Sequence, residues 1–142
     1  MFRIVYMSTL GAAVGRAEID AILDEARERN ARDDVTGVWL MHGRACLSAL
    51  EGPPEAVRQI GESVWDDRRH ENFRLCDMRP VSQRLFHGWP LHYLDVSDGN
   101  ADALNRHDGL RWLCTFAGGV DAFAAKGLGD GLGELKRGDP ND

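Results

Sequence analysis

The stretch T-G-V-W-L-M-H-G-R-A-C-L-S-A-L, residues 36–50, decides the fold. Residues 36–41 and 45–50 are short apolar runs rich in strand formers, and His42-Gly43-Arg44 between them is a turn that the glycine makes easy. They read as a β-hairpin, and each end of the hairpin runs toward a helix. Upstream, over 17–32, Ile19, Ile22, Leu23 and Ala26 recur at helical spacing, with Asp20, Asp24, Glu25 and Arg27 on the opposite side. Downstream, Gly52-Pro53-Pro54 breaks the chain, and proline suits a first helical turn, where its missing N–H would have no partner anyway. The helix that follows turns Val57, Ile60, Gly61 and Val64 inward.

Outside the helices lie further strands. Residues 2–8, F-R-I-V-Y-M-S, alternate with period two, placing Phe2, Ile4 and Tyr6 on one face and Arg3, Val5 and Met7 on the other. Past the second helix, residues 73–76 and 87–94 supply two more strands around a loop containing Pro80. The order β-α-β-β-α-β-β predicts an α+β, ferredoxin-like layout: a mixed five-stranded sheet with both helices on one face and right-handed crossovers. Beyond Asp95 the apolar residues Leu104, Leu110, Trp112, Leu113, Phe116, Val120 and Phe123 are separated by turn residues, which predicts short C-terminal helices on the other face. The expected organisation is a core unit over 1–95 and a helical extension packed on the sheet over 96–126. A mobile tail is expected over 127–142, opening on the glycine-rich G-L-G-D-G-L-G run.

A chain of 142 residues with 43% hydrophobic and 28% charged residues has the composition of one ordinary globular domain. Its 17 Lys+Arg against 23 Asp+Glu leave a formal charge of −6, no basic surplus to neutralise nucleic-acid phosphates or anionic lipid. Three scattered cysteines, Cys46, Cys76 and Cys114, without a C-x-x-C pair, fit reduced thiols. With no apolar run near the roughly 18 residues of a membrane span and no leader-like start, the chain reads as cytoplasmic. The histidines at 42, 70, 87, 92 and 107 lack metal-site spacing, and His87 and His92 would fall on opposite faces of one strand. No phosphate loop, G-x-S-x-G or partnered nucleophile occurs, so the residues do not describe an enzyme.

Asn30 is the most informative polar residue, because it continues the apolar stripe of the first helix and so points inward. A buried carboxamide needs partners; it suits the edge of a heterocycle carrying a carbonyl beside an N–H, or it caps the helix end or bonds the following loop. Tyr6 faces the same side as Ile4, either as core with its hydroxyl satisfied or as a ligand or redox residue. Arg69-His70, past the second helix, is suited to an anionic group or to a solvated turn.

The segments I-V-Y-M-S at 4–8, R-N-A-R-D-D-V-T-G at 29–37, L-S-A-L-E-G-P at 47–53, R-H at 69–70 and R-L-F-H-G-W at 84–89 jointly resemble the BLUF family of blue-light sensors using flavin, over about residues 2–95. The resemblance implies FAD between the two helices with its ring edge toward the sheet, Tyr6 as electron donor and Asn30 as the amide bonded to the flavin ring. It also places Arg69 and His70 as a basic pair near the cofactor and Trp89 among the cofactor-site residues. It implies signal transduction, and a short single-domain chain must act through a surface, by contact with a downstream protein partner, with a homo-oligomer as one candidate assembly.

Two departures stand out. The chain reads C-L-S-A-L-E-G where the family has F-L-Q-V-L-E-G, so Ser48 replaces the glutamine whose rearrangement is the family's light switch. It reads W-P-L where W-S-M is common, so Leu91 replaces a methionine. A serine hydroxyl is too short to span Tyr6 and the flavin and has no amide to flip, so the glutamine-dependent photocycle is expected to be lost or altered. The competing reading is a flavin-free protein-interaction module on the same fold. An acylphosphatase-like enzyme of similar topology would need a phosphate loop that the chain lacks.

Overall fold

The computed structural model describes residues 1–97, 101–119 and 122–123. Along the chain come strand β1 (Phe2–Leu10), helix α1 (Arg16–Arg32), β2 (Thr36–His42), β3 (Ala45–Gly52), α2 (Pro54–Asp66), β4 (His70–Pro80) and β5 (His92–Asp95). A 3-10 helix over Ala101–Arg106 and helix α3 (Asp108–Phe116) follow. The sheet order is β4-β1-β3-β2-β5, antiparallel throughout except for the parallel β2–β5 pair. This is the mixed, ferredoxin-like sheet that the element order predicts.

Local chemistry sets the register. Gly43, at φ +61°, stands first in the two-residue turn closed by the His42–Ala45 pair, the position where a type II′ hairpin turn needs a positive φ. That turn aligns Trp39 with Ser48, and β1 on the far side of β3 aligns Tyr6 with the same serine.

Strand alternation then sorts the apolar side chains into two cores. Ile4, Tyr6, Trp39, Cys46 and Leu50 meet Leu23 and Ala26 of α1 and Val57 and Ile60 of α2 on one face. Val5, Val38, Leu40, Leu47 and Ala49 meet Phe86, Leu104, Leu110, Leu113 and Phe123 on the other. Short C-terminal helices therefore cover the second face, as expected. The tail over 127–142 and Val120 lie outside the described residues.

The last two strands differ from expectation. β5 spans only 92–95, because Gly88 turns at φ +72° and Pro90 has no N–H to give a ladder. His87 is thus not on a strand, and His87 and His92 do not mark opposite faces of one. β4 is longer than expected, running from His70 to Pro80. It is an edge strand with a single neighbour, so many of its positions are exposed, Leu75 and Met78 among them, and Asn72 at φ +52° accompanies irregular register against β1.

The second face also holds a buried charge pair. Glu51 is fully buried and accepts from Arg3 Nε at 2.8 Å and from the backbone N–H groups of Leu85 at 2.8 Å and Phe86 at 3.0 Å. The Arg3 guanidinium lies 4.8 Å over the Trp112 ring. A carboxylate this deep is tolerable only when such partners surround it.

Candidate functional site

Three neighbouring strands put Tyr6, Ser48 and Trp39 side by side on the helix-bearing face, where they form part of the floor of a cleft between α1 and α2. The cleft offers about 240 Å³, and Leu50, Ile60 and Leu91 add apolar lining. Tyr6 stacks on Phe73 with centroids 5.2 Å apart. Burial pushes its phenol up to about 12, only partly offset by a hydrogen bond with Ser48, so Tyr6 holds its proton throughout the neutral range.

Asn30 enters from α1, whose inward stripe is Leu23, Ala26 and Asn30. Its side chain is fully buried, and its Nδ2 donates to the Pro90 carbonyl at 2.6 Å, while its Oδ1 has no hydrogen-bond partner. One turn earlier, Arg27 Nε donates to the Leu91 carbonyl at 2.9 Å, and from the sheet side the Gly37 N–H donates to the Trp89 carbonyl at 2.8 Å. Residues 89–91 are thereby strapped between α1 and β2, and the strap delivers Leu91 into the cleft.

Arg69 and His70 both line the cleft, but not as two available cations. The Asp67 carboxylate holds Arg69 at 2.7–3.1 Å, with Glu25 at 3.9 Å. His70 is buried, its Nδ1 sharing a hydrogen bond with Ser8 Oγ at 2.8 Å.

A family model described as BLUF, sensors of blue-light using FAD, matches residues 1–92. The chain belongs to the BLUF family. It is 38% identical over 66 residues to the blue light- and temperature-regulated antirepressor BluF of Escherichia coli (strain K12), an alignment covering 45% of this chain and 16% of that protein. It is 29% identical over 83 residues to photoactivated adenylate cyclase subunit beta of Euglena gracilis, covering 58% of this chain and 10% of that protein. The chain thus spans a small fraction of either relative. Among solved structures, the dark state of BlrB, a BLUF protein, superposes with a TM-score of 0.69 at 26% identity, over 88% of this chain and 96% of that one.

Within the BLUF fold of this chain, the cleft gathers Tyr6, Asn30, Ser48, Arg69 and His70, but not Trp89. Trp89 packs against the second core and stacks on the rings of His92 at 4.2 Å and His107 at 4.3 Å. Because residues 87–91 do not form a strand, alternation could not have located it. Several cleft residues escaped the sequence reading, Ser63 and Asp67 among them, and two others carry unsatisfied buried atoms. Arg29, beside Asn30, has a buried Nε without a hydrogen-bond partner. Trp39, read only as a strand former, is paired with Ser48 because the turn is the two residues Gly43-Arg44 and not the three residues 42–44 expected from the sequence.

A flavin fits these residues. Asn30 Oδ1 is an acceptor kept from water with nothing to accept from, and a ring N–H between the helices would answer it. Among the described residues no cluster of His, Cys, Asp and Glu could hold a metal ion, and no helix is long and apolar enough to cross a membrane.

Proposed function

We propose that the chain is a blue-light sensing domain that binds FAD noncovalently between α1 and α2, works in the cytoplasm and signals through contact with a protein partner, without catalysis of its own. The observation that carries this reading is the fully buried Asn30 carboxamide, whose Oδ1 is unsatisfied in a cleft shared with Tyr6. When bound, the flavin supplies absorption of blue light and an excited state able to accept an electron. The chain's residues do the rest. Asn30 orients the ring edge, Tyr6 offers an electron-rich phenol that keeps its proton, and α1 and α2 shield both from water.

The same cleft supports an altered photocycle. Ser48 lies between Tyr6 and Trp39, buried and bonded to Tyr6, and its one hydroxyl proton cannot exchange donor and acceptor ends as an amide does. Absorption spectra of the purified protein reconstituted with FAD, taken before and after blue illumination, test the reading. A bound flavin without a reversible red shift is the expected result, and Ser48→Gln combined with Leu91→Met is expected to introduce the shift. The longer side chain at a buried position costs about 1–3 kcal/mol of stability. Failure to bind flavin would leave the flavin-free interaction module as the reading. A reversible red shift in the unmodified protein would mean that another residue does the work of the glutamine.

A further inference from the structure

Trp39 is only 3% exposed and lines the cleft, yet its indole N–H finds no nitrogen or oxygen acceptor. The nearby Cys46 offers a sulfur, a weak acceptor. A buried donor left in this state is uncommon and marks a place where a partner belongs. The ring is fixed on its outer side by Tyr93, which meets it edge-on at 5.2 Å, and it stands directly opposite Ser48 in the β2–β3 register. Ser48 itself is occupied with Tyr6.

Of the three unsatisfied side-chain atoms on the cleft walls among the described residues, Arg29 Nε, Asn30 Oδ1 and Trp39 Nε1, the last two are complementary in kind. Asn30 Oδ1, from the helix side, can only accept, and Trp39 Nε1–H, from the sheet side, can only donate. A heterocycle that presents both an N–H and a carbonyl or ring-nitrogen acceptor answers both. We propose that Trp39 is the sheet-side hydrogen-bond donor to the bound flavin, its indole N–H filling the donor role that Ser48 is too short to take. The inference rests on the flavin reading above and adds a binding residue to it. Unlike an amide, the indole has no acceptor end to exchange, so the bond it makes is a fixed one.

The test is Trp39→Phe, which keeps an aromatic ring and deletes the N–H. Flavin affinity is measured by titration, and the flavin carbonyl stretch by infrared difference spectroscopy. Loss of the bond is expected to weaken binding roughly tenfold and to move a carbonyl band to higher frequency. Unchanged affinity with an unchanged carbonyl band would overturn the inference and leave the flavin reading standing, whereas an unmodified protein that binds no flavin overturns both. A second measurement needs no variant. In the unmodified protein carrying 15N-labelled indoles, the Trp39 N–H resonance, recognised by its proximity to Ser48 and Tyr93, is expected to move downfield when flavin is added. No movement on saturation with flavin counts against the proposal.

Discussion

Tyr6 and Cys46 hold their protons far into the alkaline range, because burial leaves neither anion with water to solvate it; the phenol is pushed up to about 12 and the thiol to about 11. In the unfolded chain the same groups ionise near 10 and 9. Above pH 9 the unfolded state therefore releases protons that the folded state retains, and stability falls as pH rises. For Tyr6 the shift corresponds to roughly 2–3 kcal/mol, lost progressively between pH 10 and 12. Urea denaturation between pH 8 and 11 is expected to show this decline, with Tyr6→Phe reducing its slope; an equally steep decline in the variant would assign it elsewhere. The inward direction of Tyr6 and Asn30 was legible from spacing alone. The Asp67–Arg69 pairing was not, since nothing in R-R-H at 68–70 says that a carboxylate two residues back closes on the guanidinium.

The strap over 89–91 leads into β5, and His92, the first residue of that strand, lies against Trp89. Its imidazole is held below the usual histidine range by partial burial first, and then by the charges of His107 and Arg27. As pH falls below about 6.5, the unfolded chain takes up this proton before the folded one does, so stability present above 6.5 is lost on acidification. His92→Gln is expected to flatten the loss of stability between pH 6.5 and 5, as followed by thermal melting. An identical acid slope in the variant would locate the titrating group elsewhere. At this scale the sequence is most transparent where a strand is flanked on both edges. β1, β2 and β3 alternate cleanly because every second side chain enters one of two cores. β4 has a neighbour on one edge only, so Glu71, Asn72 and Arg79 lie exposed within it and hide its period. Pro90 hides the start of β5 in the opposite way, as a strand-like run without the N–H to pair.

At the scale of the molecule, the sheet needs both coverings. Ending the chain after residue 97 would remove Leu104, Leu110, Leu113 and Phe123 from above Val5, Val38, Leu40 and Leu47. Uncovering large apolar side chains at about 1.5–3 kcal/mol each consumes much of the roughly 5–15 kcal/mol that holds a domain together. A 1–97 fragment is therefore expected to lack a sharp thermal transition, and a fragment that melts as sharply as the full chain would refute the claim. The Glu51 carboxylate extends that dependence into a segment without regular structure. The backbone N–H groups of Leu85 and Phe86 pair with no strand, yet both donate to an acid that is sealed from solvent between Arg3 and the second core. Water reaches those two amides only when the carboxylate itself is uncovered, which requires the packed second core around it to open. In deuterium exchange these two loop amides are expected to keep their hydrogens as long as the central strands do, becoming labelled only in the event that opens the second face.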